Sequence, residues 1–270
     1  EPHHQNHTDD YPPPIGYREK YAGRWVPPDL QTLKGSAHQH LAGYFGMTKR
    51  IDEAYGRLID SLLSLKLMDD SVLFFTSDHG NNFKTRNEEY KRSCHESSIR
   101  VPSSIIGNIF EQGGRIKNLI SILDIHATIL DIAGIKNFQS DGKSILPLVM
   151  KKNNKWIDEI FIQISESQVG RSLRTKKWKY SVNSPESDPW NEQGSNQYIE
   201  QFLYNLDADP YELNNLIGIK EFNTITKKLR DKLTQYINKH ENLKTNIKKA
   251  NNVNNPGQLG LEPGSFMDGY

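Results

Sequence analysis

The stretch Phe74-Phe75-Thr76-Ser77-Asp78-His79-Gly80 is the most informative part of this 270-residue chain. Its apolar half is typical of a buried strand, which ends abruptly in Ser-Asp-His-Gly. Because open α/β sheets place their active sites at the carboxyl ends of strands, we expect Asp78 and His79 to be candidate metal ligands at such an edge. Lys91 and then a Glu-x-x-x-Arg-x-Pro segment, Glu96–Pro102, follow. The pattern predicts an enzyme.

Hydrophobic periodicity predicts alternating helices and strands in the first half of the chain. Prolines at 12–14 and 27–28 predict an extended opening segment in which helices cannot run. Gly134 is expected to stop the second helix. Helix, strand and helix in alternation imply a partly parallel sheet. The predicted elements are helices over Leu41–Leu67 and Leu119–Ile135, with short strands over Ser71–Thr76 and Val101–Ile106.

The pattern changes after Lys151, where shorter strands and one long helix are predicted. Strands are expected over Ile160–Ile164 and within Ser172–Val182, with a polar loop over Ser184–Asn196. A Lys-rich helix is expected over Asn223–Ala250, and its basic residues are more simply a solvated face than an anion site. Its apolar stripe consists of Ile225, Leu229, Leu233 and Ile237.

These motifs, in this order, resemble the formylglycine-dependent sulfatases of the alkaline-phosphatase superfamily. The resemblance extends to about Leu216, and the form Lys-Arg-Ser-Cys-His-Glu-Ser-Ser-Ile-Arg is closest in look to bacterial carbohydrate sulfatases. It implies an α/β fold with a mixed sheet flanked by helices and a smaller C-terminal α+β subdomain. The further matching segments are Glu1-Pro2-His3, Asp141–Ser144, Arg174–Tyr180, Leu203–Leu206 and Asp209–Glu212.

The resemblance also predicts a domain division and a missing part. Residues 1–150 would be the C-terminal part of the catalytic α/β domain, 151–250 an antiparallel subdomain with a covering helix, and 251–270 a loosely ordered tail. The family's nucleophile motif, Cys/Ser-x-Pro/Ala-x-Arg, is not found, and Cys94 has the wrong spacing for it. We therefore expect an N-terminally truncated sulfatase that is inactive alone and exposes apolar surface.

The resemblance assigns metal-binding and catalytic roles to four residues. Asp78 and His79 would supply half of a calcium site, although an Asp at a strand end can also simply cap a turn. Lys91 would stabilise negative charge on the sulfate and the leaving-group oxygen. His3 would bind sulfate and protonate the leaving oxygen. The missing part would supply the formylglycine that attacks sulfur.

Other residues are candidates for substrate contact or for shaping the site. His95 could touch a sugar hydroxyl or the sulfate, and His4 lies close enough to His3 to share its role. Arg171 follows a predicted strand and is a candidate for substrate contact, although such a transition is usually only a turn. Glu96 and Arg100 are better read as a structural pair.

Two alternatives to a carbohydrate sulfatase stay open at this point, and a third is rejected. A phosphodiester or phosphonate ester hydrolase of the same superfamily shares Ser-Asp-His-Gly. A non-catalytic remnant could instead bind a sulfated glycan or a partner. Cys94 and Arg100 also match the Cys-x5-Arg spacing of cysteine phosphatases, but the intervening residues lack the glycine that such an anion loop needs.

Composition excludes several other classes. The formal net charge of +1 argues against a general nucleic-acid binder. No run approaches the roughly 18 apolar residues of a membrane span. One cysteine rules out an intrachain disulfide framework. A periplasmic or secreted location is favoured by the family resemblance alone.

Overall fold

The computed structural model describes residues 11–110, 113–150, 155–156 and 158–250. Contacts divide them into two compact units. The first unit holds the described residues up to Ile109 together with Tyr211–Leu213, and the second holds those from Phe110 to Pro210 and from Asn214 onward. The predicted division at residue 150 follows family architecture and stays a prediction. The predicted tail, 251–270, lies outside the described residues.

The first unit is mainly helical. The long predicted helix is confirmed as α3, which buries its N-terminal half. The expectation that the proline-rich opening has no helix is wrong, because Pro28 occupies the first turn of α2, where its missing N–H costs no hydrogen bond. The helices in this part are α1 (Tyr17–Tyr21), α2 (Pro28–Thr32) and α3 (Ala37–Ser64).

Two short strands complete the first unit. β1 (Leu73–Phe75) and β2 (Ser104–Ile106) pair with Leu73 opposite Ile106 and Phe75 opposite Ser104. The pair is antiparallel, so the predicted parallel relation is wrong for these strands. The connection between them contains only the four-residue helix α4 (Glu96–Ile99) and lacks the longer crossover helix that usually joins parallel strands.

Apolar side chains face outward in the first unit. Leu58 and Leu63 on α3 are 51% and 56% exposed, and Leu65 and Leu67 just after it are also exposed. Ile106 on β2 is also exposed. This agrees with the exposed apolar surface that the sequence predicts.

The second unit contains a five-stranded sheet with the order β3-β4-β5-β6-β7. Neighbours are antiparallel except β6 and β7, which are parallel. The mixed sheet with helices confirms the predicted fold class. The strands are β3 (Glu159–Ile164), β4 (Val169–Thr175), β5 (Trp178–Ser184), β6 (Gln197–Asn205) and β7 (Asn246–Lys248).

The described residues of the second unit form three α-helices. α5 (Ile122–Ile132) begins at a capping box formed by Ser121 and Asp124, and Gly134 follows its end with φ +73°. α6 (Leu146–Val149) is short. α7 (Asn223–Glu241) confirms the predicted apolar stripe, because Leu229, Leu233 and Ile237 are buried in the core of this unit. The predicted end at Ala250 is wrong: Asn242 takes φ +53°, and the chain continues into β7.

Candidate active site

The predicted site residues of the first unit lie on residues 76–103, the site loop, which connects β1 to β2. The loop packs on the start of α3 through Phe83, which is buried against Tyr11, Ala37 and Leu41. The Ser36 N–H donates to the Phe83 carbonyl over 2.8 Å. A loop this long is therefore anchored by its own buried aromatic residue.

Asp78 and His79 form an ordered turn directly after β1. The His79 N–H donates to Asp78 Oδ1 over 2.9 Å, and the Ser77 hydroxyl donates to the His79 carbonyl over 2.7 Å. Gly80 N–H donates to the Ser98 carbonyl over 2.8 Å, which fixes the turn to α4. Asp78 thus caps its own turn with one oxygen. The other carboxylate oxygen faces the His79 ring.

The donor chemistry of this pair fits a cation. His79 Nδ1 lies 2.8 Å from the Gly80 carbonyl oxygen, which can only accept, so Nδ1 is the donor, and in the neutral ring Nε2 carries the lone pair. Nε2 lies 3.4 Å from Asp78 Oδ2. Two lone-pair atoms at this separation repel unless a cation or proton lies between them. The Asp78 carboxylate is 63% exposed, so an ion can reach it.

These two residues make only part of a metal site. Within the described ranges, no group of three or more His, Cys, Asp or Glu side chains is arranged to hold a metal ion. Calcium takes six to eight oxygen-rich ligands. Asp78 and His79 could therefore supply only part of such a ligand set, and the calcium site stays a prediction.

Lys91 and His79 both lie near the ring of Tyr90. Lys91 Nζ is 5.4 Å from the centroid of the Tyr90 ring, and the His79 and Tyr90 ring centroids are 6.2 Å apart. Lys91 is half-buried. No carboxylate of the described residues pairs with its ammonium group. The loop therefore brings a positive charge and the Asp78–His79 pair to one aromatic side chain.

His95 is fully buried at the N-terminus of α4. Its Nδ1 lies 3.3 Å from the Ser93 hydroxyl. Glu96 Oε2 and Arg100 Nη1 are 3.9 Å apart, as a structural pair would be, but Arg100 is 74% exposed and such a pair contributes little. This packing leaves the His95 side chain little access to solvent. Its predicted contact with substrate stays a prediction.

Arg171 is held entirely inside the second unit. Its side chain is 2% exposed and pairs with Glu241, which is 9% exposed. It also donates to the Gly170 carbonyl over 2.6 Å and to the Gln193 carbonyl. These contacts favour a structural role, in which Arg171 anchors the 185–196 loop, over the predicted contact with substrate. His3 and His4 lie outside the described residues.

Sequence reasoning missed the polar residues that hold this loop. Asn82 and Asn87 both donate to the Lys91 carbonyl, and Glu212 accepts the Glu96 N–H over 2.6 Å at the start of α4. Arg86, fully buried, donates to the Tyr211 and Glu212 carbonyls. The asparagines carried a turn signal only. Glu212 lay in a matching motif without an assigned role.

Family models identify the class of protein. The sulfatase model matches residues 1–135, and the model of the N-sulphoglucosamine sulphohydrolase C-terminal region matches residues 89–239. The chain belongs to the sulfatase family.

Individual relatives agree with this assignment. Arylsulfatase K of Homo sapiens is 30% identical over 83% of this chain and 41% of its own length. Choline-sulfatase of Rhizobium meliloti (strain 1021) is 33% identical over 64% of this chain and 32% of its own length. The solved structure of BT4656 in complex with its substrate D-glucosamine-2-N,6-O-disulfate has a TM-score of 0.60 and 22% identity, and covers 85% of this chain and 45% of that one. At this identity, the structure supports the fold.

The chain spans about two fifths of the length of the first curated relatives that it matches. No helix within the described ranges is both long enough and apolar enough to cross a membrane.

Proposed function

We propose that the protein hydrolyses sulfate esters of a poly- or oligosaccharide and that this chain supplies the leaving-group side of the active site. One observation carries the proposal: the half-buried Lys91 ammonium has no carboxylate partner in the described structure and shares Tyr90 with the Asp78–His79 turn. A cation that has no carboxylate partner among the described residues and lies near the same aromatic ring as a candidate metal ligand is suited to an anionic substrate.

The roles of the chain's own residues follow from this geometry. Asp78 Oδ2 and His79 Nε2 would hold calcium, which when bound neutralises charge on the sulfate oxygens. The proton on His79 Nδ1, fixed by the Gly80 carbonyl, keeps Nε2 available as a ligand. Lys91 would stabilise the negative charge that develops on the leaving oxygen as the S–O bond breaks. The formylglycine nucleophile would have to come from outside these 270 residues.

The substrate class and location are parts of the proposal. A sulfated sugar as substrate is supported by the structural similarity to BT4656, which was solved in complex with its substrate, a glucosamine disulfate. The relatives also include arylsulfatase K and choline-sulfatase. Family membership therefore supports the sulfate group of the substrate more strongly than the identity of its alcohol. A periplasmic or secreted location rests on family membership alone.

The test compares Lys91→Ala with Lys84→Ala in protein expressed from the complete coding sequence. Lys84 lies in the same loop and has no assigned role, so Lys84→Ala controls for loss of a loop lysine. Turnover of a chromogenic sulfate ester should fall about 10²- to 10³-fold in Lys91→Ala, because a group that stabilises developing charge is removed. Lys84→Ala should keep the parent rate. Parent-level turnover in Lys91→Ala would contradict the role of Lys91.

The same assay separates the alternatives. Faster turnover of a chromogenic phosphonate or phosphodiester than of the sulfate ester would favour the second hydrolase class. Binding of a sulfated oligosaccharide by the complete protein with no turnover of any ester would identify a non-catalytic binder.

A further inference from the structure

The main chain at Lys91 is held by the side-chain amides of two asparagines. Asn87 Nδ2 donates to the Lys91 carbonyl over 2.7 Å and to the Arg92 carbonyl over 3.1 Å. Asn82 Nδ2 donates to the same Lys91 carbonyl over 3.3 Å. Two donors therefore converge on one carbonyl oxygen, which has two lone pairs to accept them.

Both asparagines are buried and are themselves fixed. Asn87 is 6% exposed, and its Oδ1 accepts the Glu89 N–H over 3.0 Å. Asn82 is fully buried, its N–H donates to the Tyr90 carbonyl over 2.7 Å, and its Nδ2 also reaches the Ser98 hydroxyl at 3.1 Å. Because Ser98 also accepts from Gly80, Asn82 connects the Lys91 segment to the turn that carries His79.

The backbone just after Lys91 needs such support. Arg92 has φ +58°, a left-handed conformation that residues other than glycine rarely adopt. A non-glycine residue keeps this conformation where its surroundings determine it. Here the Arg92 side chain pairs with Glu89, and Asn87 receives the Glu89 N–H while it donates to the Arg92 carbonyl. Asn87 therefore holds both ends of the segment that presents Lys91.

We propose that Asn87, assisted by Asn82, is a positioning residue for Lys91: its amide fixes the main chain from which the ammonium group reaches the leaving oxygen. This inference rests on the proposed function for its catalytic consequence. Its structural part, the placement of the Lys91 side chain, can be tested without any turnover. A residue that acts in this way touches no substrate atom itself.

Asn87→Asp isolates the donor. Aspartate keeps an oxygen for the Glu89 N–H but opposes the Lys91 carbonyl with a second acceptor, so the main chain there must move. Asn87→Ser provides a second variant, because its hydroxyl can accept the Glu89 N–H while being too short to reach Lys91. Asn81→Ala is the matched control: Asn81 is 7% exposed in the same loop and bonds to Tyr11 and Phe83.

The first measurement is the rate of acetylation of each lysine in protein expressed from the complete coding sequence, quantified by peptide mass spectrometry with a thermal melt to verify folding. Asn87→Asp and Asn87→Ser should change the rate at Lys91 several-fold relative to Lys84, while Asn81→Ala should leave this ratio at the parent value. An unchanged ratio in a folded Asn87 variant, or an equal change in Asn81→Ala, overturns the proposal.

The second measurement is steady-state kinetics on the complete protein. The Asn87 variants should lower kcat about 10- to 100-fold with little change in KM, since displacing a catalytic group by an ångström has effects of this size. Adding Lys91→Ala to an Asn87 variant should lower kcat less than Lys91→Ala does in the parent protein, because both substitutions remove the same contribution of Lys91. Parent kinetics in a variant with altered labelling would overturn the catalytic consequence alone. Absence of turnover in the parent protein would instead count against the proposed function and leave the labelling result to decide the inference.

Discussion

The site loop and the sheet of the second unit are stabilised by different kinds of interaction. In the second unit, α7 buries Leu229, Leu233 and Ile237 against strands that contribute Leu173 and Tyr180, all at most 3% exposed. The site loop buries Phe83, but the segment around Lys91 is held by buried asparagines that donate to main-chain carbonyls.

This difference separates stability from function. Apolar burial is non-directional and tolerates small shifts, whereas hydrogen bonds fix atoms within narrow distances and angles. A loop that must present a charge at one place benefits from the second kind. Burial of apolar side chains also stabilises the first unit less, because β1 and β2 form a two-stranded sheet and Leu58 and Leu63 are exposed. Substitutions in the two units should therefore change the free energy of unfolding by different amounts, and in some cases in opposite directions.

The largest effect is expected for Leu233→Ala in the core of the second unit. Leu233 is fully buried in the α7 stripe, so its truncation removes apolar burial and leaves a cavity. The free energy of unfolding should fall by about 2–5 kcal/mol, as for other buried leucines. Urea denaturation followed by circular dichroism measures it.

Leu58→Ala is the matched control in the first unit. Leu58 is 51% exposed on α3, and surface substitutions usually change the free energy of unfolding by about 0.5 kcal/mol or less. If Leu58→Ala costs as much as Leu233→Ala, the outward apolar residues of α3 are covered in solution and the contrast between the units is wrong.

A smaller loss is expected for Gly80→Ala at the start of the site loop. A Cβ at Gly80 would lie 2.1 Å from the Ser97 carbonyl oxygen, so the turn and α4 must separate. Forcing an extra carbon into a packed site typically costs about 1–3 kcal/mol. Differential scanning calorimetry on this variant should show a lower Tm.

Gly56→Ala should have the opposite sign. Gly56 lies inside α3, and nothing is within 4 Å of a Cβ placed there. Alanine is about 0.5–1 kcal/mol better than glycine in a helix. A stabilised Gly80→Ala variant would show that the contact between the His79 turn and α4 is not a tight one.

The sequence predicted the elements with strong periodicity and missed those determined by distant contacts. α3 and the apolar stripe of α7 follow from 3.6-residue spacing. The antiparallel pairing of β1 with β2 cannot be predicted from such spacing. It depends on the path that residues 76–103 take between the two strands. The end of α7 was placed too late since Lys-rich segments favour helix locally, whereas pairing with β6 makes β7 a strand.

Site prediction divided along the same line. Asp78, His79 and Lys91 could be proposed from the sequence because the family motif keeps them in order along the chain, and in the structure Lys91 and His79 both lie near Tyr90. Asn82 and Asn87 carry no such signal: asparagine is common in turns, and only the folded loop shows that both amides bond to one carbonyl. Arg171 was assigned from its position after a strand, but its partner Glu241 lies 70 residues away and could not be foreseen.

The smallest effect tests a polar brace inside the second unit, comparable in kind to the asparagines of the site loop. Burial raises the pKa of Asp158, but Lys176 Nζ at 2.5 Å and the Leu119 N–H at 3.0 Å outweigh it, so the pKa is lowered. A carboxyl whose pKa is lower in the folded state stabilises the fold above its unfolded pKa, and this contribution is lost as the pH falls through the folded pKa.

Asp158→Asn should therefore lower the free energy of unfolding by about 1 kcal/mol at pH 7, and the difference between parent and variant should narrow below about pH 4. Urea denaturation at both pH values measures it, with Asp231→Asn, which removes an exposed pair to Lys227, as a control expected to be near zero. An equal cost of Asp158→Asn at both pH values would mean that packing of the side chain, and not its charge, holds this part of the second unit.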